Sequence, residues 1–408
     1  MVFVFWCFYL CFTSNFIALE CCTEIRFIVK SLFPVLALLV FFGFHIGIYF
    51  LFIKRIVKPK IPLRILKYFL VFNFFGVVLY FFGRYVMDLP QSVYFLASLS
   101  IGVGFVLFVV MLLYQVLLLF LYLIGILFPK FSQERRGFFQ NALNLTSGVF
   151  ALGYLGVGLV EGRLVPIVEK VKISLNGLKG KITAVQISDL HIGGLIEENV
   201  VAAVVKQVNA LKPDFIVLTG DIIDAEVSRV PKAIDALAKL QAPLGVYFIL
   251  GNHEYFHGIA SLLEVLKDKG IIVLENACVL LEKGEAKLNL AGVYDLFGRR
   301  INALEPDLEQ ALQKRIPTYP LVLLAHQPKF AFEVKESHDV NLILSGHTHG
   351  GQIFPFSLFV KFDQPYLKGL YQHSRTTQIY VNRGTGFWGP PMRILSRAEI
   401  TSFEFVGV

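Results

Sequence analysis

The sequence predicts two parts in series, an all-α membrane region followed by an α/β domain. Three observations lead to this reading. Long uninterrupted apolar runs fill the chain before residue 161. From Lys170 onward, short apolar runs alternate with amphipathic stretches, the pattern of buried strands and surface helices. The main strand-like runs then end on aspartate, asparagine or histidine.

In the first part, Leu32 to Ile53 and Leu66 to Val86 each reach the roughly 20 residues that cross a bilayer as a helix. Val93 to Phe128 exceeds one span, so it reads as a long tilted helix or as a span with an interfacial piece. Asn141 to Val160 is a fourth candidate, diluted by Asn, Ser, Thr and Gly. Val2 to Leu19 is a further span or an uncleaved signal-like helix. About four to five spans are therefore expected over residues 1–160. His45 lies within an apolar run and reads as a helix-packing residue.

Composition agrees with this division. Of 408 residues, 55% are hydrophobic and only 17% charged, which leans toward a membrane protein. The net charge of +8 sits largely in short basic clusters between apolar runs. Lys54, Arg55, Lys58, Lys60, Arg64 and Lys67 crowd the first connection. The second holds Arg84 and Asp88, and the third Lys130, Arg135 and Arg136. Basic loops stay cytoplasmic, so the expected order is inside, outside, inside. A fourth span would carry everything after Glu161 outside the cytoplasm. No basic stripe interleaved with aromatics occurs in the second half, so nucleic acid is not an expected partner. Of the five Cys, only Cys278 lies in the second half, which excludes an internal disulfide or a thiolate metal site there.

In the second part, buried strands are expected at Ile182 to Ile187, Phe215 to Thr219, Val246 to Leu250, Leu288 to Val293, Leu321 to Ala325 and Leu342 to Ser345. Glu197 to Leu211 has apolar residues at helical spacing. The first strand leads into Ser188-Asp189-Leu190-His191 and the second into Gly220-Asp221-Ile222-Ile223-Asp224. The third leads into Gly251-Asn252-His253-Glu254. Ala325-His326 and Gly346-His347-Thr348-His349-Gly350 close the series. Ligands at carboxyl ends of strands are where α/β sheets build active sites. Mixed carboxylate and imidazole donors suit Mn, Fe or Zn better than Mg or Ca. Two such ions roughly 3.5–4 Å apart can bind phosphoryl oxygens and generate a bridging hydroxide at neutral pH. Asp221 can bridge both.

These blocks resemble the calcineurin-like metallophosphoesterase superfamily, whose pattern is D-x-H, G-D-x-x-D, G-N-H-[DE], H and G-H-x-H. The resemblance covers about Val171 to Val408. The run Gly346 to Gln352, together with Asn382-Arg383-Gly384, Pro390-Pro391-Met392-Arg393 and Glu399-Ile400-Thr401, is similar to a bacterial membrane-linked subgroup. The resemblance implies a four-layer αββα sandwich over residues 171–408. It implies that Asp189, His191 and His349 hold one metal and Asn252, His326 and His347 a second, with Asp221 between them. It implies that His253 contacts the phosphate and protonates the leaving group.

Neighbouring residues carry weaker expectations. Asp224 and Glu254 are expected to support ligands. Tyr255 and His257 face substrate or sit in a loop, and Asp295 has no assigned role. Arg299, Arg300, Arg383 and Arg393 are candidates for a second phosphate or an anionic head group, or are structural. His338 and His373 are expected to be neither ligands nor catalysts.

The expected function is membrane-anchored, metal-dependent hydrolysis of a phosphate mono- or diester through a dinuclear centre, on a lipid or cell-envelope substrate. The alternatives are pyrophosphate cleavage of an acylated UDP-sugar in lipid A synthesis and a non-catalytic membrane signalling protein. A transporter with an appended enzyme is disfavoured by the few ionisable residues within the spans.

Overall fold

The computed structural model describes residues 23–87, 89–128 and 133–407. The run Val2 to Leu19, the four N-terminal cysteines, Asp88 and Lys130 lie outside these residues. The chain divides into two compact units, one of residues 1–160 with Gly389–Met392, the other of Glu161–Trp388 with Arg393–Val408.

Among the described residues, the first unit has four helices long and apolar enough to cross a membrane. The first, α1 (Thr23–Gly47), continues through a π-helical stretch, Ile48–Ile53, and a last turn, Lys54–Ile56. It is followed by α2 (Lys60–Tyr85), α3 (Gln91–Leu127) and α4 (Gln133–Glu161). The long third run is one continuous helix of 37 residues. The second helix begins six residues before the expected apolar run (Lys60 against Leu66), because lysine and arginine are good helix formers that polarity alone does not mark. The bundle interior is apolar, with Ile48, Val77, Val106 and Tyr114 nearly or fully buried. Outward positions such as Leu39, Phe72, Phe120 and Leu152 leave more than half their surface exposed, as a lipid-facing surface does. His45 is buried, with Nε2 2.8 Å from Asn73 Oδ1 on α2 and Nδ1 2.7 Å from the Phe41 carbonyl oxygen. Both its nitrogens are engaged within the bundle, as a packing role requires.

The second unit is built on two six-stranded sheets. Its strands are β1 (Ile167–Leu175), β2 (Lys181–Ile187), β3 (Phe215–Thr219), β4 (Val246–Ile249), β5 (Ile272–Val273), β6 (Ala277–Lys283), β7 (Ala286–Gly292), β8 (Leu321–Leu324), β9 (Leu342–Ser345), β10 (Gly369–Gln372), β11 (Gln378–Val381) and β12 (Glu399–Gly407). One sheet runs β1-β12-β2-β3-β4-β5 and the other β10-β11-β9-β8-β7-β6. In the first, β2 to β5 are parallel and β12 is antiparallel to β2. In the second, β7, β8, β9 and β11 are parallel.

Strand alternation sorts the side chains. Ile182 and Ala184 of β2, Phe215 and Val217 of β3, and Tyr247 and Ile249 of β4 pack between the sheets against Leu288, Leu290, Val322, Leu324, Leu342 and Leu344. The intervening Val185, Ile187, Ile216, Leu218 and Phe248 face the helices α5 (Glu198–Ala210), α6 (Pro231–Leu237) and α7 (Ile259–Asp268). Both faces of these strands are covered, so they read as continuous apolar runs rather than alternating ones. On the far side, Leu321, Leu323, Ile343 and Ile379 pack under Leu308, Leu312 and Phe330. The result is four layers, helix on sheet on sheet on helix.

The α/β unit begins earlier than residue 171, since β1 starts at Ile167 and pairs in parallel with β12 from Glu399. Its alternation of Lys170, Lys172 and Ser174 with Val171, Ile173 and Leu175 suits an edge strand, where charge on one side is tolerated. No local signal marks β12, which enters between β1 and β2 only through long-range pairing.

Candidate metal centre

The parallel strands bring their carboxyl ends to one edge of the two-sheet stack, and the polar residues that follow them meet there. Asp189 and His191 follow β2, Asp221 follows β3, and Asn252 and His253 follow β4. His326 follows β8, and His347 and His349 follow β9. Asp189, His191, Asp221, His347 and His349 all hold left-handed backbone angles, with φ between 49° and 68°. For residues other than glycine this costs on the order of 1–2 kcal/mol each, and such conformations cluster at functional sites. Gly346 tolerates no side chain, because a Cβ there would run into Ser188 Oγ and the Asp189 carboxylate.

Two groups of side chains converge, and one carboxylate belongs to both. In the first group, His191 Nε2 lies 3.0 Å from His349 Nε2, and His349 Nε2 lies 3.5 Å from Asp189 Oδ1. In the second, His326 Nε2 lies 3.2 Å from Asp221 Oδ2 and 3.3 Å from Asn252 Oδ1. The His347 ring stands 5.1 Å from that of His326, centroid to centroid. Asp221 Oδ2 is also 4.0 Å from both His191 Nε2 and His253 Nε2. By distance, Asp189-His191-His349, Asp221-His326-His347 and His191-Asp221-His253 each form a cluster able to hold a cation.

The surrounding hydrogen bonds fix these groups. His326 Nδ1 lies 2.8 Å from the Thr219 carbonyl oxygen and donates to it, which leaves Nε2 turned to Asp221 and Asn252. The Asp189 carboxylate accepts the His347 backbone N–H at 2.9 and 3.0 Å, tying one sheet's loop to the other's. Asp221 Oδ1 accepts the His253 N–H at 2.8 Å. Glu254 is fully buried, and its carboxylate accepts the backbone N–H groups of Asp221, Ile222, Ile223 and Gly251 at 2.7–3.1 Å. It thereby clamps the Asp221 loop to the Asn252 loop. Asp224 Oδ1 accepts from His253 Nδ1 at 2.9 Å and His257 Nε2 at 3.0 Å.

The charges respond to this packing. Burial alone would raise Asp221, but His326, His253 and His191 outweigh it and hold the carboxyl well below its usual range. Burial would lower His326, yet Asp221 and Asp189 carry it well above the ordinary histidine value. Burial drives His347 and His349 well below that value, so both imidazoles are neutral with lone pairs available. Burial, then the nearby Asp221, raises Glu254 to about 7. Two buried carboxylates and four imidazoles, with ring nitrogens converging at 3.0 Å, form a donor set that fits divalent transition ions.

Residues at the margin are held by partners of their own. Tyr255 Oη donates to the Leu304 carbonyl at 2.7 Å, and His257 turns to Asp224. Asp295 is buried and accepts from Phe297 N and Gln327 Nε2 at 2.8 and 2.7 Å. Of the arginines, Arg299 pairs with Glu333 at 2.6 Å, Arg300 lies over the Phe297 ring, and Arg383 pairs with Glu399 and Glu169. Arg393 is 1% exposed and bonded to backbone carbonyls, which rules it out as a head-group contact. His338 meets Glu309 and His373 meets Tyr366, both away from the cluster. Sequence reasoning did not single out Trp388 or Phe256, whose rings each stand 6.1 Å from that of His253. No spacing signal connects either aromatic to the motif.

A two-sheet α/β domain with carboxylate and imidazole donors on its strand ends is a metallohydrolase domain. The family model for calcineurin-like phosphoesterases matches residues 182–351. A protein of Helicobacter pylori (strain ATCC 700392 / 26695) described as an uncharacterized metallophosphoesterase is 38% identical over 351 residues, which are 85% of this chain and 92% of that one. A Danio rerio "Transmembrane protein with metallophosphoesterase domain" is 40% identical over 242 residues, 58% of this chain and 54% of its own. Among solved structures, a dimetal phosphatase from Danio rerio covers 54% of this chain and 98% of its own at 16% identity and a TM-score of 0.34. The chain belongs to the calcineurin-like metallophosphoesterase family, with a phosphoesterase hydrolase domain and a membrane-associated helical region.

Proposed function

We propose that this protein hydrolyses phosphate mono- or diesters at a dinuclear metal centre, on a lipid or cell-envelope substrate beside the membrane. Asp189, His191 and His349 are assigned to one ion and Asn252, His326 and His347 to the other, with the Asp221 carboxylate shared. The observation that carries this is the position of Asp221 Oδ2, within 4.0 Å of ring nitrogens from both groups. Two divalent ions there would supply Lewis acidity and lower the pKa of a water molecule.

The chain's own residues do the rest. Asp189, His191, Asp221, Asn252, His326, His347 and His349 would hold the ions, and His253 contacts the phosphoryl group. His253 holds its Nδ1 proton on Asp224, so in the imidazolium form its Nε2 proton passes to the departing alkoxide oxygen and the ring returns to the neutral Nδ1–H tautomer. Phe256 and Trp388 flank His253 and limit water around it. The membrane-linked subgroup is favoured by the Gly346 to Gln352 run. The basic loops between spans favour a multi-pass protein of the cytoplasmic membrane with its catalytic domain on the extracytoplasmic side.

The test is hydrolysis of bis-p-nitrophenyl phosphate by the purified full chain with Mn²⁺. Chelation is expected to abolish turnover and Mn²⁺ to restore it. Asp221→Ala and His347→Ala are expected to lose both activity and metal loading. Full turnover in either variant would refute the site.

A further inference from the structure

Arg393 is one of the largest fully buried side chains, and among the described residues it makes no hydrogen bond to a carboxylate. Nε donates to the Gly386 carbonyl at 3.1 Å. Nη1 donates to Arg383 O at 3.0 Å, Ser396 O at 2.7 Å and His349 O at 3.4 Å. Nη2 donates to Gly384 O at 3.2 Å and Gly386 O at 2.5 Å, and lies 3.4 Å from His349 Nδ1. A buried guanidinium is costly unless its donors are all used, and here each nitrogen has a carbonyl partner.

The carbonyls of Arg383, Gly384 and Gly386 belong to a strap, residues 383–386, whose other edge faces the first group of ligands. Thr385 N donates to Ser188 O at 2.7 Å and Gly386 N to Asp189 O at 3.0 Å. Gly384 approaches so closely that a Cβ would stand 2.9 Å from His349 Nδ1 and 3.2 Å from Asp189 Cβ. Ser396 Oγ donates to the same His349 carbonyl at 2.8 Å. Beyond the strap, Glu399 accepts from Arg383 Nε and from Tyr380 Oη at 2.5 Å, which anchors it to both sheets. Asp189 follows a strand of one sheet and His349 a strand of the other. Both hold left-handed backbone angles. The strap touches both, and Arg393 holds it together with Asn382, Thr385 and Glu399.

We infer that Arg393 is a positioning residue for the Asp189-His191-His349 half of the centre, acting through the 383–386 strap and the His349 backbone. It lies beyond the span matched by the family model, residues 182–351. The inference rests on the assignment of those three residues to one ion. Its effect has a sign that charge alone would reverse. A buried cation repels a bound cation, so loss of the charge without loss of position would tighten metal binding. Loss of position loosens it, by about ten- to a hundredfold for groups that orient ligands.

The experiment is Mn²⁺ titration of the detergent-purified full chain, read by equilibrium dialysis and by electron paramagnetic resonance. The variants are Arg393→Met, Arg393→Lys and Ser396→Ala, with circular dichroism as a check on folding. The wild type is expected to bind two ions and show a spin-coupled pair signal. Arg393→Met is expected to keep one ion near wild-type affinity, weaken the other at least about tenfold, and give an isolated-ion signal at two equivalents. Arg393→Lys keeps the charge without the fork and is expected not to restore affinity. Ser396→Ala is expected to weaken the same ion a few fold. Combining His347→Ala with Arg393→Met is expected to remove the remaining tight ion, which assigns the weakened one to the Asp189 side. Tighter binding, equal loss at both ions, or two wild-type affinities in folded Arg393→Met would overturn the inference. If Arg393→Met does not fold, the same outcomes are read from Arg393→Lys and Ser396→Ala. Fewer than two ions in the wild type, or two ions retained in Asp221→Ala, would instead overturn the dinuclear centre itself.

Discussion

Asp224 makes the sharpest residue-scale prediction, because one carboxylate oxygen takes hydrogen bonds from two histidines. Asp224→Asn keeps the shape but no longer favours a proton on His253 Nδ1. Turnover of bis-p-nitrophenyl phosphate is expected to fall by about a hundredfold, the lower range for a positioned general acid, with KM unchanged. Wild-type kcat in this variant would remove His253 from proton delivery. Cys278 gives a second prediction. Burial raises its thiol to about 11, so it stays protonated and shielded at pH 8. Iodoacetamide treatment of the folded protein followed by peptide mass spectrometry is expected to find Cys278 unmodified, and modified after denaturation. The motif residues themselves were legible in the sequence, because ligand chemistry demands aspartate, asparagine and histidine. Their left-handed backbone angles were not, since nothing in a side chain's identity announces a positive φ.

At the scale of elements, the strands that carry the site are the ones the sequence displays most clearly. β3 and β9 match their expected ranges because both faces are buried and each run is apolar up to its last residue, Thr219 or Ser345. β6, β10 and β11 escaped notice, being short or partly exposed strands, and only partners fix such segments. One contact joins the two sheets at their other edge. The Asp214 carboxylate, just before β3, accepts from Thr183 N and Oγ1 of β2 at 2.7 and 2.9 Å and from Lys283 Nζ of β6 at 2.8 Å. Burial would raise this carboxyl, but the bonds from Lys283 and Thr183 outweigh it and leave it below its usual value. A depressed folded pKa stabilises the fold above the unfolded value, near 3.9, and that stability is lost as pH falls through the folded value. Asp214→Asn is expected to cost about 1–3 kcal/mol at neutral pH. Its melting midpoint, followed by scanning fluorimetry from pH 7 to pH 3, is expected to converge on that of the wild type in acid. An equal deficit at every pH would show that the carboxylate charge is not the cause.

For the whole molecule, the arrangement of four apolar helices before a phosphoesterase domain turns basic loops into a statement about sidedness. A reporter fused after Val408 is expected to be active outside the cytoplasm when an extracytoplasmic enzyme is used, and silent when a cytoplasmic one is. The reverse pattern would overturn the proposed orientation and open the site to cytoplasmic phosphate esters.

The sequence by itself determined the membrane helices, the α/β class and the identity of the candidate ligands. Each is a local or compositional property: run length, period, and donor atoms at fixed spacing after a buried strand. Tertiary structure alone decided how residues from opposite sheets meet. It put His191 Nε2 3.0 Å from His349 Nε2, inserted β12 between β1 and β2, and drew Arg393 inward to hold the strap behind Asp189 and His349. The reason is physical. An arginine satisfied by six carbonyl contacts and an arginine exposed to bind phosphate have the same letter, and only the surrounding backbone tells them apart.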